Sequence, residues 1–338
     1  MNRIFAVFEN GQSPGELTRL CLDFLSEQKK AWPDLRQGYE MLKQMREREI
    51  VCGGFSVHLQ YNPGRIVSSL ASVEKKAVSV RPCFLCQNNL PEKQREIILE
   101  KDYLILCNPA PVLSSHLTIC HREHRPQSLL ENVGSFLRLI EAFGSSWTIL
   151  YNGPRCGASA PDHLHFQAVK RGSMPIEEDI FKKDRVDTIR EVDDVQVSRA
   201  KGLGREILIL DGEHRKALTR ELKNILLALK RVLPSEKEAM INVLGLRSEG
   251  KTRLLVFPRR KHRPEAFFKE GGDRIIVSPG AVEMGGIFVT PVERDFDRLD
   301  APAVKGILNE VCLEGEVMDA VTEALARCDG SSESSGGW

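Results

Sequence analysis

Apolar positions along the chain change period several times, and each change marks an element. Over residues 15–48, Leu17, Leu20, Cys21, Phe24 and Leu25 recur at helical spacing, and Pro33-Asp34 restarts a second run carrying Leu35, Tyr39, Leu42 and Met45. Two helices are predicted there. Residues Val57 to Val67 read as a strand, an Asn62-Pro63-Gly64 turn and a second strand. Tyr103–Cys107 and His116–Cys120 read as paired strands, and Leu129, Leu130, Val133, Phe136, Leu137, Ile140 and Phe143 form the apolar stripe of a helix. Trp147–Tyr151 is the next strand. Further on, residues 214–233 are amphipathic through Leu218, Leu222, Ile225, Leu226, Leu229 and Val232. A last helix is expected over roughly 302–327, before a tail rich in Gly and Ser.

The strand after Tyr151 carries chemistry. Asp162-His163-Leu164-His165-Phe166-Gln167 alternates, so in extended backbone His163, His165 and Gln167 project to one face while Leu164 and Phe166 pack on the other. Just before it, Tyr151 to Pro161 is a loop of small residues, including Asn152, Gly157 and Ser159, whose backbone can approach a phosphate and offer N–H donors. Loop donors and a strand nucleophile would then meet. A neutral imidazole is available near pH 7 and can displace a leaving group from phosphorus, which makes His165 the candidate nucleophile, with a carbonyl of the 157–161 loop as the expected partner of its other ring nitrogen.

Composition narrows the partners. A length of 338 residues suggests about two domains of ordinary size, and 48 basic residues against 47 acidic ones give no footprint for nucleic acid. The N-terminal apolar run is too short for a signal peptide, and no later run has the length of a membrane span. Nine cysteines, an odd number, fit reduced thiols in a cytoplasmic protein better than a disulfide framework.

Together, His163-Leu164-His165-Phe166-Gln167-Ala168 and Cys83-Phe84-Leu85-Cys86 resemble the histidine-triad superfamily. The similar branch has Gln in third position and contains galactose-1-phosphate uridylyltransferase, diadenosine tetraphosphate phosphorylase and GDP-L-galactose phosphorylase. The resemblance implies an α+β fold, a duplicated histidine-triad-like antiparallel sheet with flanking helices, of which the second half is degenerate. It implies a helical extension over 1–50, a catalytic half with a metal site over 51–200, a degenerate half over 201–328 and a flexible tail over 329–338. Within it, Leu254 to Phe267 can be laid beside Leu117 to Leu129, and Ile275 to Val289 then takes the place of the triad strand without its His-x-His.

The same resemblance assigns roles. Cys83, Cys86, His124 and His163 would form a closed, structural metal site, with His121 as the competing ligand, zinc as the occupant and iron as the alternative. His165, Gln167 and Ser159 would be catalytic. Substrate contacts would come from Asn152, Gly157, Arg65, Asn62 and Asn108, with Lys261, His262 and Arg263 reaching the phosphate of a second substrate. The implied activity transfers a nucleoside monophosphate from a nucleoside diphosphate sugar or dinucleoside polyphosphate to phosphate or a sugar phosphate. A Gln can donate to a phosphate oxygen but cannot serve as acid or base for water, which favours transfer over the rival hydrolase reading. The other rival is a non-catalytic, metal-stabilised nucleotide-binding protein. Either a monomer or a homodimer is compatible with the sequence.

Overall fold

The structure is a computed structural model that describes residues 3–70, 81–181, 185–233 and 238–327. The tail expected over 329–338 lies outside these residues. Ser13 opens the first helix, α1 (Pro14–Ala31), as half of a capping box with Glu16, an arrangement that stabilises a helix start by about 1 kcal/mol. Pro33 cannot continue it, so a second helix, α2 (Pro33–Lys43), begins there, as the sequence predicts.

Among the described residues, fourteen strands follow the sequence order β1 (Ile4–Phe8), β2 (Arg46–Val51), β3 (Ser56–Tyr61), β4 (Glu96–Leu99), β5 (Tyr103–Cys107), β6 (His116–His121), β7 (Trp147–Asn152), β8 (His165–Lys170), β9 (Val186–Val192), β10 (Val195–Ala200), β11 (Ile207–Gly212), β12 (Ile241–Ser248), β13 (Lys251–Pro258) and β14 (Ile287–Thr290). Eleven form one sheet, ordered β1-β4-β5-β6-β8-β7-β12-β13-β11-β10-β9, antiparallel except where β1 joins β4. The other three form a small sheet, β14-β3-β2. The class is α+β with flanking helices, as expected.

The large sheet has a twofold pattern. Its first half reads β4-β5-β6-β8-β7 with the helix Val133–Phe143 between β6 and β7; its second reads β9-β10-β11-β13-β12 with the helix Arg215–Val232 between β11 and β12. The halves join where β7 pairs antiparallel with β12, Asn152 opposite Asn242 and Leu150 opposite Leu244. This corrects the internal alignment. β13, which carries Leu254 to Phe257, stands where β8 stands in the first half, and β11 stands where β6 does. Residues 275–289 do not replace the triad strand; they contribute a helical turn, Ala281–Met284, and β14 of the small sheet. A shared His-Arg-Pro wording drew the two segments together, whereas strand order around the helices decides equivalence.

Period-two burial sorts the sheet's faces. Ile149, Tyr151, Phe166, Val243 and Val256 pack beneath α1, α2 and the two long helices, while Leu150, Val169, Leu244 and Leu255 face the small sheet and the helix Ala301–Val311. His165 and Gln167 alternate with Phe166 and Ala168, so they lie on the face away from the long helices.

Three further expectations change. After Asn62 the chain forms a 3-10 turn, Pro63–Arg65, and a short helix, Ile66–Leu70, instead of a second strand, because Pro63 fixes a helical φ at the first position. The last helix is two, Ala301–Val311 and Gly315–Ala326, parted where Cys312 bridges Arg259. The N-terminal segment contains the two expected helices and also β1, and its Leu17, Phe24, Trp32 and Leu35 belong to the main core. Among the described residues no helix is long and apolar enough to cross a membrane.

Gly38 ties α2 to the rest, since a Cβ there would stand 2.0 Å from the Pro109 carbonyl oxygen. Gly38→Ala should therefore destabilise the fold by about 1–3 kcal/mol, read as a lower urea midpoint at unchanged slope.

Candidate active site

The strand β8 starts at His165, not at His163. The backbone ahead of it bends into the edge of β6: His163 N–H donates to Ala160, Leu164 N–H to Arg125, and His121 N–H to the Leu164 carbonyl. The expectation that three polar side chains share one face therefore holds for two. His165 and Gln167 line a cavity of about 660 Å³, while the His163 ring turns to the cysteine pair.

Buried Gln127 fixes this junction. Its Oε1 accepts the His165 N–H at 2.8 Å, and its Nε2 donates to the carbonyls of His165 and Asn152, clamping β7 to β8. The His165 Nδ1–H donates to the carbonyl of His163 at 2.8 Å. That acceptor lies two residues before the ring, not in the 157–161 loop. With Nδ1 carrying the proton, Nε2 holds a lone pair, and it has no partner among the described residues. Burial pushes the His165 pKa down to about 4, so the ring is neutral at pH 7.

Gln167 is oriented by a residue the sequence reading did not single out. Val112 N–H donates to Nδ1 of His116, which leaves the His116 Nε2–H to donate to Gln167 Oε1 at 2.7 Å. Burial lowers the His116 pKa to about 4 and keeps this tautomer neutral. With its oxygen held, Gln167 presents its N–H₂ to the cavity. The only available signal was His116 opening a predicted strand beside the triad strand.

Other expected residues divide. Asn152, Gly157, Ser159, Asn108 and Arg65 all line the cavity. Gly157 has φ +92°, and a Cβ there would meet Gly280 Cα at 2.8 Å, so the loop lies against the second half at a distance only glycine permits. The N–H groups of Ala158 and Ser159 have no partner among the described residues, and the Ser159 carbonyl accepts from Arg81 at 3.0 Å. Arg65 donates to the Ala110 carbonyl at 2.8 Å. Asn62 does not reach the cavity; its buried amide donates to Pro111. Lys261 is turned away as well, bridging Glu265 at 2.8 Å and Glu310 at 3.1 Å, whereas its neighbours His262 and Arg263 line the cavity. Burial and the nearby Arg263 and Arg259 hold His262 down at about 3, hence neutral. Arg81 and Phe84, flanking and within the cysteine knuckle, are cavity residues too.

Cys83, Cys86, His124 and His163 converge, with all four ligand atoms within 4.8 Å of one another. His163 Nδ1 lies 3.3 Å from Cys83 Sγ and 3.6 Å from Cys86 Sγ, and His124 Nδ1 lies 3.2 Å from Cys86 Sγ. Bonds of about 2.0–2.3 Å in tetrahedral geometry set ligand atoms roughly 3.3–3.8 Å apart, so the donor set fits a divalent ion. His163 Nε2–H donates to the His121 carbonyl at 2.7 Å, which frees Nδ1 for a metal and fixes the ring. His121 itself is outside the cluster, its Nδ1 accepting from Glu123 N–H. Burial and the neighbouring Cys83 push the Cys86 thiol up to about 11, so the Cys86 sulfur needs a cation to ionise at neutral pH.

Comparisons with known proteins agree with this architecture. The fold is similar to that of Ap4A phosphorylase, one of the proteins to which the motifs pointed. Yeast Ap4A phosphorylase superimposes with a TM-score of 0.56 at 12% identity, over 83% of this chain and 96% of that one. The same enzyme's complexes with AMP and with Ap4A each give a TM-score of 0.52 at 12% identity, covering 83% and 84% of this chain and 96% and 97% of theirs. A family model described as Domain of unknown function (DUF4922) matches residues 24–170. No curated protein sequence matches the chain.

Metal analysis separates the two histidines. His124→Ala should lower bound metal from one equivalent per chain towards zero, while His121→Ala should leave it unchanged; retention in the first and loss in the second would reverse the ligand set.

Proposed function

We propose that the chain is a nucleotidyltransferase or phosphorylase that passes a nucleoside monophosphate, through a covalent intermediate on His165, from a nucleoside diphosphate sugar or dinucleoside polyphosphate to phosphate or a sugar phosphate. The observation carrying this reading is the His165 tautomer. Its Nδ1 proton is committed to the His163 carbonyl, so Nε2 faces the cavity as a neutral nucleophile beside the Gln167 amide.

In the first step the Nε2 lone pair attacks the α-phosphorus, a P–N bond forms, and the bond to the bridging oxygen breaks with its electron pair leaving on the departing phosphate. As the imidazole becomes cationic, the His163 carbonyl stabilises the Nδ1 proton. Charge on the non-bridging oxygens is met by N–H donors: Ala158 and Ser159 of the loop, the Asn152 amide and the Gln167 amide. In the second step an oxygen of the acceptor phosphate attacks, the P–N bond breaks, and His165 regains its lone pair. Arg65, Arg81 and Arg263 line the same cavity and would neutralise the polyphosphate.

Cys83, Cys86, His124 and His163 would hold zinc, or iron, whose chemistry here is structural: four protein ligands leave no position for water. His163 would be held at that site by its ring, and its carbonyl in turn holds His165.

Incubating the protein with GDP-, UDP- and ADP-sugars and diadenosine tetraphosphate, without acceptor, should add one nucleoside monophosphate to the intact mass. His165→Ala should abolish the adduct; an adduct that survives in this variant sinks the reading. His116→Phe, which frees the Gln167 amide, should slow adduct formation by about 10²–10³-fold, comparable to losing one oxyanion donor.

A further inference from the structure

The half of the sheet without a His-x-His still has a polar group aimed at the site. Asn242, on β12, is fully buried and sits opposite Asn152 across the seam between the halves. Its Nδ2 donates twice, to Asn152 Oδ1 at 2.8 Å and to the Cys156 carbonyl at 2.7 Å. One amide therefore holds both the last residue of β7 and the loop that follows it.

Asn242 is itself held. Its Oδ1 accepts from Arg259 Nη1 at 2.6 Å, and Arg259, about 1% exposed, sends its remaining N–H groups to the carbonyls of Val311, Pro279, Lys261 and His262. A guanidinium on the amide oxygen polarises the amide and strengthens donation from its nitrogen. At the far end, Asn152 Oδ1 receives a second donor, Ala281 N–H, at 2.7 Å. With its oxygen doubly occupied, the Asn152 amide cannot turn over, and its Nδ2, which has no partner among the described residues, is left on the cavity side.

We propose that Asn242, backed by Arg259, is a positioning residue: it fixes the Asn152 amide as a hydrogen-bond donor to substrate phosphate or sugar, and through Cys156 sets the height of the 153–159 loop. An apolar pair would close this seam at lower desolvation cost. What the Arg259-Asn242-Asn152 chain adds is direction, the end of the Asn152 amide that meets the ligand. The part of the inference that concerns rate rests on the nucleotidyl-transfer reading; the part that concerns orientation does not.

Asn242→Asp tests it without changing side-chain volume. The new carboxylate keeps Arg259 but sets oxygen against the Asn152 and Cys156 oxygens, so the Asn152 amide should reverse and point Nδ2 at residue 242. Selective ¹⁵N-asparagine labelling, with Asn152→Ala for assignment, reads this directly. The Asn152 amide protons should exchange freely with water in the wild-type protein and become protected in Asn242→Asp; unchanged exchange overturns the proposal. Adduct formation should slow about 10- to 100-fold while Tm stays near wild type, the size expected for one charge-assisted hydrogen bond. The effects of Asn242→Asp and Asn152→Ala should be clearly less than additive in the double variant, the remainder being what passes through Cys156, and full additivity would overturn action through Asn152. Should Asn242→Asp fail to fold, Asn242→Ala removes the donor without adding charge and should loosen the same amide; a rigid Asn152 there also overturns the idea. A wild-type protein that forms no adduct would end the transfer reading, yet the exchange measurement would still decide the orientation.

Discussion

Everything at the site hangs from one hydrogen bond, the Nδ1–H of His165 to the carbonyl of His163. It selects the tautomer and aims Nε2 into the cavity. A carbonyl is a good partner only if its peptide is immobile. The His163 peptide is fixed twice, by the Leu164 N–H to Arg125 and by the ring of His163 among Cys83, Cys86 and His124. The cysteine knuckle and His165 are thus tied through one rigid segment, and the 2.7 Å bond from His163 Nε2 to the His121 carbonyl extends that rigidity into β6.

The same logic governs the two carboxamides. A neutral amide has a donor end and an acceptor end of nearly equal shape, so its usefulness depends on what holds the other end. His116 holds the oxygen of Gln167 from β6, and Asn242 with Ala281 holds that of Asn152 from the second half. Burial keeps His116 neutral, and a buried arginine polarises Asn242. The cavity is thereby lined with donors suited to phosphate oxygens while carrying few acids that would repel them.

Much of this was legible in the sequence where a period or a rigid residue spoke. The helical stripes of 15–48 and 129–143 and the paired strands at 103–107 and 116–120 all appear in the structure; so does the convergence of Cys83, Cys86, His124 and His163, which only the family resemblance implied. β9 and β10 did not announce themselves, since Val186 to Ala200 mixes charged and apolar residues on a sheet edge. The internal duplication was legible as a fact but not in register, because strand order carries it and sequence wording does not. The roles of His116, Gln127, Asn242 and Arg259 could not be read for a common reason. Each acts by a bond to a residue far along the chain, 51 positions away for His116 and Gln167, and no local pattern encodes such a partner.

The seam between β7 and β12 also says where this protein can be divided. The matched region 24–170 begins partway along α1 and ends with β8, so a fragment cut to those limits would keep β7 but not its neighbour β12. Trp147, Ile149 and Tyr151 would still have their helix, yet the strand's outer row of N–H and C=O groups would be open, flanked by Leu150, which the second half now covers. An uncovered apolar edge of that kind recruits strands from other molecules. The chain's recognisable portion and its smallest self-sufficient portion are therefore different stretches, and the second extends at least across the midline of the sheet.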